Sequence, residues 1–163
     1  MLAYPDEPNM KILHEKPPEW IMTGCLSQFR VNVERTFWAY GDTIYNPGGI
    51  LIREDIIAHE EQHGRQQEAH EGGKDGWWRQ YLAEPRFRLE QEAEAYGVQY
   101  KWYCKRIADR NKRAQFLHMI ATQLSSPLYQ LAVSQLQART MIEVLSGHKQ
   151  LPKAPHGVDV AVL

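Results

Sequence analysis

Residues 56–63 read Ile56-Ile57-Ala58-His59-Glu60-Glu61-Gln62-His63, and no other stretch restricts the chain as strongly. On a helix, residues four apart lie on one face, one turn above the other. A helix here stacks His59 over His63, so two imidazole nitrogens can meet one metal ion. Glu60 flanks the same face, close enough to hold a water beside the ion rather than to bind the ion itself. Glu61 points to the far side. The apolar turn Ile56-Ile57-Ala58 is what a helix needs to enter a core. Zinc sites of the open kind use three protein ligands. The fold must therefore bring a second element up to this helix.

That element is legible downstream. Pro85 opens a long helix over about 86–108, with Leu89, Ala93, Tyr96, Gly97, Tyr100, Cys104 and Ile107 at helical spacing. Three acids, Glu90, Glu92 and Glu94, cluster at its start, and two histidines with one glutamate are a standard zinc set. At 100° per residue, Glu94 falls roughly 125° from the centre of the apolar stripe, toward water. Glu90 and Glu92 sit on its two borders, at roughly 85° and 75°, a difference too small to choose between them. His70 returns almost to the angle of His63 but lies roughly 10 Å further along a straight helix, too far for the same ion. It reads as a surface residue.

The remaining elements follow from local signals. Residues 1–20 are proline-rich, with a short strand at 10–13 and a helical turn at 18–22. Phe29, Val31 and Val33 alternate with Arg30, Asn32 and Glu34 as in a half-buried strand, and residues 36–45 form a hairpin about Gly41-Asp42. Glycine at the first central position fits a type II′ turn. The expected sheet is antiparallel and spans about 25–46; an edge strand beside a metal can accept an extended peptide as one more strand. The metal helix runs over about 54–70, with Asp55 as cap or first-turn acid and Gly72-Gly73 as its stop. Gly64, costly inside a helix, requires a close crossing or a clear path to the metal. Asp75–Leu82 is a short aromatic helix whose Trp77, Trp78 and Tyr81 form core or cleft wall. Two further helices fill about 111–146. The second is capped by Ser126, has Pro127 at its first position and stops at Gly147. The whole reads as a single α+β domain over 1–147 with a tail at 148–163.

Composition narrows the class. A chain of 163 residues can bury a core without staples, and its formal net charge of -1 gives no global reason to expect nucleic acid or an anionic membrane. The basic stripe of Lys101, Lys105, Arg106, Arg110, Lys112 and Arg113 reads as a solvated helix face, with nucleic-acid binding the lesser alternative. Cys25 and Cys104 are far apart and read as buried thiols in a reducing compartment. The first residues lack the layout of a signal peptide, and no apolar run reaches the roughly 18 residues of a membrane span. The expected location is the cytoplasm, which is compatible with association with a virion.

His59-Glu60-x-x-His63, followed by Glu92-Ala93-Glu94-Ala95-Tyr96, resembles the zincin metallopeptidases that take their third ligand from a glutamate, with HExxH followed by ExxAD. The wider pattern GDTIYNPGG, HEEQHGRQQ, WWRQYL and EAEAYGVQY is similar to small HExxH proteins encoded by phages and prophages, over about residues 29–103. The resemblance implies a minimal zincin-like domain, one bound Zn2+ and peptidase activity on a peptide or protein substrate. Aligning Glu92-x-x-Ala95 with ExxA makes Glu92 the third ligand beside His59 and His63, with Glu90 the runner-up; Glu60 becomes the general base. Tyr96 stands where the pattern has an aspartate that orients a ligand histidine, so that role is left without an occupant. Tyr96, Tyr129 and His118 are the candidates for stabilising an oxyanion. The alternatives are a catalytically silent zinc-binding structural or assembly protein and, less favoured, a nucleic-acid-binding module.

Overall fold

The computed structural model describes residues 10–130 and 133–150. Among them are six helices and one three-stranded sheet, an α+β arrangement. The sheet comprises β1 (Lys11–Leu13), β2 (Trp38–Tyr40) and β3 (Thr43–Tyr45), in the order β1-β3-β2. The hairpin is as expected: Tyr40 faces Thr43 across Gly41-Asp42, and Gly41 has φ 63°.

The sheet differs from the expected antiparallel one in two ways. It is mixed, because β1 pairs with β3 in parallel, Ile12 opposite Ile44. A parallel neighbour needs a crossover, and the chain between β1 and β2 supplies it with α1 (Glu19–Gln28). Second, residues 29–33 form no strand. Asn32 accepts the Glu34 amide at 3.1 Å through its side chain and the Thr36 hydroxyl at 2.7 Å through its carbonyl, closing a 3-10 turn over Val33–Arg35. Such local side-chain bonds compete with a ladder. The alternation still places Phe29, Val31 and Val33 against one aromatic cluster. The period was a burial pattern without a partner strand.

The metal helix is α2 (Glu54–Ala69), followed by α3 (Gly73–Ala83) and α4 (Pro85–Arg106). Asp55 is a first-turn acid, not the cap; Arg53 holds the cap position and grips Asp55 through two bonds of 2.9 and 2.8 Å. His70 is half-buried rather than on the open surface. Its Nδ1 accepts the Gly72 amide at 3.0 Å, and its Nε2 lies 2.8 Å from Gln80 Oε1, fixing the bend between α2 and α3. Gly64 is explained by a close approach, since a Cβ there would lie 2.8 Å from the Gly41 carbonyl oxygen. The hairpin turn rests directly on α2.

α5 (Arg110–Leu124) is capped by Asp109, which accepts the Asn111 and Lys112 amides. The single helix expected from Ser126 onward is two pieces. Pro127–Tyr129 makes one 3-10 turn, Gln130 is left-handed at φ 52°, and α6 (Gln135–Leu145) starts afresh under a reciprocal Ser134–Gln137 capping box. Proline at a first position opened a helix that could not continue through Gln130. The expected tail lies almost wholly outside the described residues.

Two apolar clusters flank α2. One joins α4, α5 and α6 through Tyr96, Leu117, Ile120, Leu124 and Ile142; the other joins α1, β2 and α3 through Ile21, Trp38, Trp77, Trp78 and Tyr81. Each fully buried side chain of this size contributes about 1.5–3 kcal/mol. α2 is the polar layer between them. Its buried residues are Asp55, Ala58, His59, Glu60, His63, Gln66 and Gln67, and only alanine among these is apolar. Cys25 and Cys104 are both buried and free. Among the described residues no helix is long and apolar enough to cross a membrane.

Candidate metal centre

α2 and α4 lie side by side, and their contact brings His59, His63 and Glu92 together, with one potential donor atom from each within 4.8 Å of the others. The two Nε2 atoms are 3.1 Å apart. Glu92 Oε2 is 3.4 Å from His59 Nε2, and Oε1 is 3.5 Å from His63 Nε2. Glu92 is only 3% exposed. Of the other two acids, Glu90 is exposed and paired with Arg86 at 3.2 Å, and Glu94 turns outward to accept Gln66 Nε2 at 2.9 Å.

The surrounding hydrogen bonds determine which imidazole nitrogens are protonated. Gln99 donates its amide to Asp55 Oδ2 at 2.8 Å, leaving Oε1 to face His59 Nδ1 at 3.0 Å. Gln66 donates to the Gln91 carbonyl at 3.0 Å and to Glu94, leaving Oε1 to face His63 Nδ1 at 2.8 Å. An amide oxygen only accepts, so each Nδ1 carries the proton and each Nε2 presents a lone pair. Two lone pairs and a carboxylate converge in a buried space. Tyr81 donates to Glu92 Oε1 at 2.5 Å, and Glu92 Oε2 has no hydrogen-bond partner, alone in this among the buried side-chain nitrogen and oxygen atoms of the described residues. Such an arrangement calls for a cation. The donor set fits a divalent metal ion.

The same electrostatics operate without an ion. Burial acts to lower the His63 pKa, but the Glu92 carboxylate overrides it and holds it up at about 9. Burial likewise acts to raise Glu92, and His63 and His59 win, keeping it well below the usual carboxylate range. Without a metal ion, a second proton on His63 makes the imidazolium the cation that faces the Glu92 carboxylate. Glu60, also buried, is pushed up by burial, against the pull of His59 and His63 and a backbone hydrogen bond from Ala39.

A cavity of about 300 Å3 opens onto His59, Glu60, His63 and Glu92, with aromatic walls that include Phe37, Trp38, Trp77, Trp78 and Tyr81. Tyr129 lines it as well, and its hydroxyl is 3.0 Å from that of Tyr96. Tyr96 stands behind, its ring edge-on to His59 at 4.6 Å. His118 is elsewhere, exposed on α5 beside Gln135 at 3.0 Å, because α5 turns that side outward. Glu61 lines a separate groove with Gly41 and Lys74. β2 is an edge strand beside the cavity, but the Ala39 carbonyl already accepts Gln67 Nε2 at 2.9 Å and Trp78 Nε1 at 3.0 Å. An incoming strand cannot pair there. Arg113 leaves the basic stripe, donating instead to the Ile107 carbonyl and, at 2.6 Å, to that of Cys104.

Compared with protein-family models, with curated proteins and with solved structures, the chain finds no match. What it can do must come from the site. Sequence reasoning missed Gln66, Gln67, Gln99 and Tyr81. The signal for the glutamines was helical spacing, since Gln66 and Gln67 follow His63 by three and four positions and Gln99 follows Glu92 by seven. Tyr81 reaches Glu92 from another helix and had no such signal.

Proposed function

We propose that this chain is a zinc-dependent peptidase with a minimal zincin-like core, holding the ion through His59, His63 and Glu92. The observation that carries the reading is the convergence of two Nε2 lone pairs with the unpartnered Glu92 Oε2 at the floor of an aromatic cavity. Two imidazoles and a carboxylate suit zinc, and three protein donors are the number found in open, catalytic sites. When bound, such an ion supplies Lewis acidity and makes a nearby water acidic.

The protein's own groups do the rest. Glu60 lies beside the ligands but is not among them, and burial makes its carboxylate more basic than an exposed one. It takes a proton from the attacking water as that oxygen bonds to the peptide carbonyl carbon. As the C–N bond breaks, Glu60 returns the proton to the leaving amine, so charge and atoms balance. The Tyr129 hydroxyl, held protonated by burial and by the Glu92 charge, is the donor suited to the developing oxyanion.

A second reading has its own support. An ion between α2 and α4 would also serve as a structural clasp, and the occupied Ala39 carbonyl removes part of the edge along which a peptide could pair. The experiment is to measure zinc content and cleavage of a peptide library for the parent and Glu60→Gln. The peptidase reading expects about one zinc in both and a loss of cleavage of about 10²–10⁴-fold in the variant. Equal cleavage by both would remove Glu60 from the mechanism, and a parent that binds zinc but cuts nothing would favour the clasp.

A further inference from the structure

The cavity carries a charge pattern that its apolar walls do not require. Its floor holds Glu60 and Glu92, and the segment 30–35 at its edge brings in two exposed cations, Arg30 and Arg35. Neither arginine forms an ion pair among the described residues; the arginines that do, Arg53, Arg86 and Arg139, lie on other parts of the fold. A divalent ion held at the floor would balance the two carboxylates, and the other lining groups apart from the two arginines are neutral. Among the lining residues, the net charge left to face an incoming ligand would then be that of the two guanidiniums.

We propose that this site selects peptides in which an apolar side chain is followed or preceded by an acidic one, the first entering the aromatic cavity and the second meeting Arg30 and Arg35. The proposal rests on the reading of the cavity as the peptide-binding site and adds the class of peptide. Two features support the division of labour. The walls are dominated by Phe37, Trp38, Trp77 and Trp78, and about 300 Å3 accommodates one large side chain rather than a folded segment. The arginines stay hydrated, and guanidinium forks match a carboxylate with two parallel hydrogen bonds. Clefts edged by one sign of charge also concentrate ligands of the other sign. Arg30 and Arg35 therefore act as specificity residues and lie outside the chemistry.

The test separates binding from turnover. Zinc-loaded Glu60→Gln protein is titrated with two N-acetylated, C-amidated pentapeptides, identical except that phenylalanine is followed by glutamate in one and by lysine in the other. Tryptophan fluorescence reports binding, because Trp77 and Trp78 form the wall. The glutamate peptide should bind about tenfold more tightly at low salt, and the gap should shrink as salt screens exposed charges. Adding Arg30→Glu and Arg35→Glu should reverse the preference, with zinc content and circular dichroism unchanged; Arg30→Gln with Arg35→Gln should shrink it without reversal. Equal binding of both peptides, no binding of either, or a preference that survives charge reversal would overturn the proposal. If the peptides bind selectively but the parent protein cuts neither, the peptidase reading fails and this one stands. Cleavage of both at equal rates would do the opposite.

Discussion

Gln99 Oε1 lies 3.0 Å from Nδ1 of His59, across the contact between α4 and α2. The link continues through Gln99 Nε2 to Asp55 and on to Arg53. It turns an acceptor toward the imidazole and fixes the nitrogen available to a metal. Gln66 does the same for His63 from within α2.

Removing either oxygen should therefore weaken metal binding without removing a ligand. Gln99→Leu and Gln66→Leu should each reduce zinc affinity about 10–100-fold, the usual cost of losing an orienting partner. Competition with a fluorescent chelator measures it. Unchanged affinity in both would mean that the histidines are oriented by packing alone.

The three acids at the start of α4 should separate cleanly. Glu92→Ala should abolish tight zinc binding. Glu90→Ala, which loses only an exposed pair with Arg86, should leave affinity as in the parent. Glu94→Ala should show a small loss transmitted through Gln66. Isothermal titration of the three proteins, with circular dichroism as a folding control, decides the order. A Glu90→Ala protein that loses zinc while Glu92→Ala keeps it would contradict the geometry.

The metal-free protein should be pH-sensitive in a defined direction. His63 has a folded pKa of about 9, above its ordinary value of 6.5. A raised histidine contributes stability that is fully present below its unfolded pKa and is lost as pH rises through the folded one. Chelator-treated protein should thus lose thermal stability between about pH 6.5 and 9. Zinc binding displaces that proton, so apparent zinc affinity should rise over the same range. Melting curves across this range, with and without zinc, test both, and a metal-free protein equally stable at both ends would refute the His63–Glu92 pair.

Gly64→Ala sets two effects against each other. Alanine gains about 1 kcal/mol of helix propensity over glycine. The added Cβ, however, would stand 2.8 Å from the Gly41 carbonyl oxygen, a backbone atom fixed by the hairpin and by Gln67, which accepts the Gly41 amide at 2.7 Å. Forced shifts of packed backbone cost about 1–3 kcal/mol, so the variant should be destabilised. Urea unfolding provides the measure, and a stabilised variant would show that the hairpin is free to move.

What the sequence determined by itself was local and periodic. The spacing of His59 and His63, the glycine at the Gly41 turn and the Pro85 start of α4 depend on neighbours within one or two turns, and those contacts are set by chain geometry alone. The choice of Glu92 over Glu90 was not local. The two acids stand on opposite borders of one stripe, and only the side on which α2 packs against α4 turns one inward and leaves the other in water. The same holds for β1, whose parallel pairing with β3 depends on a crossover, and for residues 29–33, where alternation described burial but no strand came alongside. Gln99 and Tyr81 acquire their roles only when three helices meet, because a hydrogen bond between distant residues leaves no period in the chain. Tertiary packing thus decided which oxygens faced the imidazoles, and with them which nitrogens were left for a metal.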